Sequence, residues 1–164
     1  MSDLALTLER SIDASTDAVW RVITDVEGSE AVLSGVSRIE RLAGMGWSIG
    51  TRWRETRKAM GGESTEEMEV VGIDEGRSTM IAAEAHGLAY RTEFTLEPLA
   101  GGKGAGGTAE SEGTLLRMRF SGSYVSPSWL QRAMAKLTSG IGMSVTRKMM
   151  QQDLDDIAAA AERA

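Results

Sequence analysis

Four side chains have the types and spacing for acid–base or oriented polar chemistry: Glu55, Arg57, His86 and Tyr90. In the stretch TRWRETRKAM, Glu55 and Arg57 share a strand face with Trp53, while Arg52, Arg54, Thr56 and Lys58 form a solvent-like opposite face. An inward Arg57 can orient a carbonyl or carboxylate through its fork of N–H donors, with Glu55 as its partner or as a base. The alternative is a structural ion pair near a rim. His86 carries the one side chain whose ordinary pKa lies near neutrality, and Tyr90 follows four residues later across Gly87. Together they can form an acid/base pair; the alternative is a histidine exposed beside a hairpin turn. Glu84 shares the strand parity of His86.

A different chemistry is suggested by EPLAGGKGAGGTAESEG, where Gly102, Gly104 and Gly107 match the G-x-G-x-x-G spacing of a dinucleotide turn around Lys103. That turn needs a helix after it, whose N-terminal amides receive the pyrophosphate. TAESEGTLL alternates like a strand instead. The stretch is therefore read as a hairpin loop without a ligand, and Lys103 is followed by glycine rather than the Ser or Thr of a phosphate-binding loop.

Composition removes several further classes. With no cysteine, disulfides, thiolate metal sites and a catalytic Cys are excluded, and one histidine cannot build a multi-His centre. No G-x-S-x-G elbow is present. No cofactor or metal is implied. A net charge of −6 argues against nucleic acid or an anionic membrane as partner. The basic run Arg52, Arg54, Arg57 and Lys58 reads as a solvated face rather than a phosphate track. No apolar run is long enough to insert in a membrane, and MSDLALTLERSID lacks the features of a signal peptide, so a cytoplasmic protein is expected.

The elements that must position these residues follow from periodicity. Leu4, Leu6 and Leu8 alternate as in a half-buried strand. Val19, Trp20, Ile23 and Val26 then fall at helical spacing behind Ser15 and Thr16 as N-cap candidates, with Gly28 as the stop. SEAVLSG reads as a second short helix ending at Gly35. From residue 36 the chain alternates in short runs joined by Gly, Asp or Pro turns, the pattern of an antiparallel meander. Met68 and Val70 face one way and Glu67 and Glu69 the other; Tyr90, Thr92, Phe94 and Leu96 share one face.

The chain closes on an apolar stripe at helical spacing: Leu130, Met134, Leu137, Ile141, Val145, Met149, Leu154 and Ile157. Ser126 or Ser128 can cap this helix, and Gly140 and Gly142 inside it are expected to mark a kink, a break or a close approach. One long helix over a curved antiparallel sheet leaves room for a cavity between them.

Several segments, taken in order, resemble the START-like, Bet v 1-like superfamily with its polyketide cyclase/dehydrase and lipid-transport members. They are SIDASTDAVWRVITDVEG, GWSIGTRWRE, FTLEPLAGGKGAGGTAES and QQDLDDIAAAAE. The resemblance covers essentially the whole chain and implies one α+β helix-grip domain over residues 1–164. In it, a seven-stranded curved antiparallel sheet wraps a long C-terminal helix, with two short helices between strands 1 and 2. It also implies a hydrophobic pocket, with GMGWSIGTRWRE expected to border it.

The expected contacts of a bound molecule are Trp53, Arg57, Met68, Tyr90, Phe94, Leu137 and Ile141. The leading expectation is binding of a small hydrophobic molecule, lipid, polyketide or quinone-like. One alternative is a polyketide cyclase/dehydrase-type enzyme, a cyclase or aromatase, in which Glu55, Arg57, His86 or Tyr90 stabilise enolate oxygens or move protons. A third reading, a protein-interaction module, calls for an exposed apolar patch on the two short helices. Oligomeric state is left open.

Overall fold

The computed structural model describes residues 4–59, 61–85, 88–100, 113–124 and 129–164. Strand β1 (Leu4–Ile12) leads into helices α1 (Thr16–Ile23) and α2 (Ser29–Val32). Strands β2 (Val36–Ala43), β3 (Arg52–Ala59), β4 (Gly62–Asp74), β5 (Ser78–Ala85), β6 (Leu88–Leu99) and β7 (Gly113–Tyr124) follow, and helix α3 (Trp129–Ala161) ends the chain. This is the expected α+β helix-grip architecture. All strand pairs are antiparallel, in the order β1-β7-β6-β5-β4-β3-β2.

Local chemistry accounts for the first turns. Ser15 is the N-cap of α1, its Oγ accepting from the Ala18 amide at 3.2 Å, and Asp17 lies in the positive first turn. Val19 and Ile23, four apart, bury against the core. The helix ends at Thr24, whose hydroxyl donates to the Trp20 carbonyl at 2.7 Å, and not at Gly28, which is instead the N-cap of α2. α2 is a single turn that stops at Leu33, two residues before the expected Gly35.

The β2–β3 loop wraps around Thr51, which is fully buried and bonds Ser48 through its hydroxyl. Gly44 is needed there: its φ is +80°, and a Cβ would lie 2.9 Å from the Thr51 Cα. The loop thereby turns Trp47 inward, while Met45 and Ile49 stay exposed.

The core joins Leu6, Ile12, Val19, Val70, Leu116 and the C-terminal half of α3, where Met150, Leu154, Ile157, Ala158 and Ala161 are buried. Met149, expected on that stripe, is 37% exposed; the buried line runs one position further along, through Met150. Polar ties hold this half of the helix in place. Asp156 accepts from the Ser34 amide and hydroxyl at 2.8 and 2.7 Å, and Glu162 accepts from the Asp13 amide at 3.0 Å.

α3 runs continuously for 33 residues, so neither Gly140 nor Gly142 breaks it. A Cβ on Gly142 would meet nothing within 4 Å, which removes the close approach expected there. The side chains of Leu137 and Ile141, the segment 101–112 with Lys103, and the cap candidates Ser126 and Ser128 lie outside the described residues. Among the described residues, no helix is long and apolar enough to cross a membrane.

Candidate functional site

α3 packs against β1, β7, α1 and α2 and stands off from the middle of the sheet. Between them lies a cavity of about 460 Å³, walled by the inward residues of β3 to β7 and by α1, α2 and α3. Strand alternation selects the wall. Trp53, Glu55 and Arg57 come from β3, Glu66 and Met68 from β4, Tyr90, Thr92 and Phe94 from β6, and Met118 and Phe120 from β7. The aromatic part of the wall pairs Trp47 with Trp53 at 5.7 Å between ring centroids and Tyr90 with Phe120 at 5.2 Å, both tilted.

One side of the cavity carries a connected polar network. Arg57 Nε donates to Glu55 Oε1 at 2.6 Å; its Nη1 and Nη2 donate to Asp153 Oδ1 and Oδ2 at 3.1 and 2.9 Å. The other Glu55 oxygen accepts from Trp53 Nε1 at 3.1 Å. Glu55 and Asp153 are both buried, and among the described residues no buried side-chain polar atom lacks a partner. The two carboxylates thus share one guanidinium.

Burial pulls the Arg57 pKa down, but the charges of Asp153 and Glu55 more than offset it and hold the group above its ordinary value. Asp153 is pushed up, first by burial and then by the neighbouring Glu55 and Asp156 charges, against the pull of Arg57. Both values are raised, which favours the charged form of Arg57 and disfavours that of Asp153. The Arg57 rise comes from the two carboxylates that face it; the Asp153 rise comes first from burial, which the pull of a guanidinium shared with Glu55 does not fully offset.

A second polar contact spans two strands: the Tyr90 hydroxyl donates to Glu66 Oε2. Burial, and then the adjoining Glu66 carboxylate, hold the phenol well above its ordinary pKa. Tyr90 therefore stays protonated throughout the neutral range.

Of the residues singled out from sequence, Trp53, Glu55, Arg57, Met68, Tyr90 and Phe94 stand together on this wall. His86, the expected partner of Tyr90, lies outside the described residues. Glu84 is exposed and borders an open, polar depression on the outer face of the sheet, among side chains of both charge signs such as Arg91 and Glu67.

Two acids not singled out by residue type and spacing complete the site. Glu66 has the parity of Met68 and Val70, so the same alternation that places those residues inward places it inward too. Asp153 sits three residues after Met150 and four before Ile157, a carboxylate on the buried stripe of α3.

The fold has relatives among solved structures. The chain is similar to an aromatase/cyclase, Zhui, from Streptomyces sp. R1128, with a TM-score of 0.77 and 16% identity over 99% of this chain and 95% of that one. It is also similar to truncated norcoclaurine synthase from Thalictrum flavum, with a TM-score of 0.69 and 14% identity over 96% and 92%. A third likeness is to the major latex-like protein 151 of Panax ginseng, with a TM-score of 0.66 and 12% identity over 96% of each chain. At these identities the likeness is one of fold. No curated protein matches by sequence. The model of the family described as polyketide cyclase/dehydrase and lipid transport matches residues 4–162, nearly the whole helix-grip unit around this cavity, and the chain belongs to that family.

Proposed function

We propose that the chain binds a small, largely apolar molecule in the cavity between the sheet and α3. The observation that carries this reading is the cavity itself. Its volume of about 460 Å³ falls within the roughly 300–1,000 Å³ of small-molecule sites, and aromatic and aliphatic wall is combined with a few convergent polar groups. Trp53, Met68, Tyr90 and Phe94 supply contact surface. Arg57 has committed three of its five N–H groups to Glu55 and Asp153. Its first role is to neutralise those acids, so the ion pair and the ligand wall are parts of one structure.

The test is native mass spectrometry of the protein as purified and after soaking with a lipid or polyketide extract. A stoichiometric adduct that is lost on denaturation is expected. Failure of any organic molecule to bind, with the fold intact, would remove the reading.

The cyclase reading keeps one specific observation, the Tyr90–Glu66 contact on the cavity wall. There, the Glu66 carboxylate would accept a proton from carbon next to a bound carbonyl, and the Tyr90 hydroxyl would donate to the enolate oxygen so formed. Glu66→Gln would then abolish turnover of a poly-β-carbonyl thioester while sparing its binding. The protein-docking reading lacks its observation: among the described residues the large exposed apolar side chains are Met45, Ile49, Val71 and Met149, none of them on α1 or α2.

A further inference from the structure

The charges on the cavity wall do not balance. Among the described lining residues, Glu55, Glu66 and Asp153 contribute three carboxylates against two cations, Arg57 and Lys58. Lys58 is exposed at the mouth, where water and salt screen it. Arg57 is already gripped by both Glu55 and Asp153. Among the described residues, the Tyr90 hydroxyl is the one group that bonds Glu66, and that donor is neutral. Among the described residues the wall therefore carries an excess of negative charge, two of its three acids, Glu55 and Asp153, being buried where charge interactions are strong.

The remaining wall is also suited to a cation. Trp47, Trp53, Tyr90, Phe94 and Phe120 border the same space, and the negative faces of aromatic rings attract ammonium-type groups. An anionic ligand meets the reverse situation. Three of the five Arg57 N–H groups are already held by Glu55 and Asp153, so an anion meets a cation that two buried acids have neutralised, and it adds a further negative charge to the wall.

We infer that the cavity selects ligands carrying a cationic, amine-type head on an apolar body, and disfavours carboxylate-bearing ones. Glu66 and the aromatic rings receive the head, while the Arg57 ion pair holds the opposite charge pattern in place. This inference rests on the ligand-binding reading above and narrows it to a chemical class. It also bears on the cyclase alternative, because a wall with excess negative charge gives little help to a developing enolate unless Tyr90 supplies it.

The experiment compares three probes of one shape, phenylbutylamine, phenylbutanol and phenylbutanoate, by quenching of tryptophan fluorescence at physiological salt, where the overall charge of −6 is screened. The amine should bind at least about tenfold more tightly than the alcohol, with the carboxylate weakest of the three. Glu66→Gln should shrink the ratio of amine to alcohol affinity at least about threefold. If the alcohol binds but the amine shows no advantage, or the carboxylate equals the amine, the cavity reading stands and the inference falls. If none of the three binds, the cavity reading falls and takes the inference with it.

Discussion

Asp153 on α3 holds the guanidinium of Arg57 on β3 with two hydrogen bonds, 3.1 and 2.9 Å long, across 96 positions of sequence. The contact ties the closing helix to the sheet at the edge of the cavity, and Glu55 takes the third N–H from the same strand. Two buried acids on one base make Arg57 the member whose loss is most costly. Arg57→Met leaves both carboxylates without a counter-ion, and the expected destabilisation is about 3–5 kcal/mol. Urea denaturation at neutral pH measures it; a cost below about 1 kcal/mol would mean that the triad is not held as described.

The Tyr90–Glu66 contact has a signature at high pH. The folded phenol has a pKa above its ordinary value, whereas the unfolded phenol ionises near 10. Above about pH 10 the unfolded state therefore holds fewer protons than the folded state, and stability falls as pH rises. Tyr90→Phe should flatten that decline. Tyrosinate absorbance of the folded wild type should show the Tyr90 signal missing where an ordinary tyrosine titrates. A full two-tyrosine signal near pH 10 would contradict the contact.

Empty space can be distinguished from packed core by adding volume. Ile81 faces the cavity, while Val70 is fully buried away from it. Val70→Phe should cost about 1–3 kcal/mol through overpacking, whereas Ile81→Phe should cost less than about 1 kcal/mol because the ring has room. Only the second should lower ligand affinity, by about tenfold or more. Paired denaturation and binding titrations decide it; equal costs at the two positions would argue against an open cavity.

Gly142 offers the opposite kind of change. It is exposed within an unbroken helix, and a Cβ there meets nothing within 4 Å. Gly142→Ala should raise stability by about 0.5–1 kcal/mol by removing backbone freedom from the unfolded chain. A destabilised variant in thermal or urea denaturation would show that the bare backbone serves a contact or a hinge.

The faces of the strands are legible in the amino-acid sequence alone. On β3, Trp53, Glu55 and Arg57 alternate against Arg52, Arg54, Thr56 and Lys58, and a strand can only send successive side chains to opposite sides. The same rule puts Tyr90, Thr92, Phe94 and Leu96 together on β6, and the order of elements points to the helix-grip family. Glu66 is within reach of that rule, since it shares the parity of Met68. Asp153 is recognisable as an acid on an apolar helical stripe. Neither position discloses its partner.

Partners are settled by the tertiary structure. Tyr90 and Glu66 meet across the intervening β5, a distance set by how the sheet curves. Asp153 meets Arg57 because α3 is anchored through Ser34 and Asp13 at one rotation about its axis. Local periodicity is a property of one element and states which side a residue faces. The separation and rotation of two packed elements depend on every contact between them, so the charge balance of the cavity emerges only when the sheet and the helix come together.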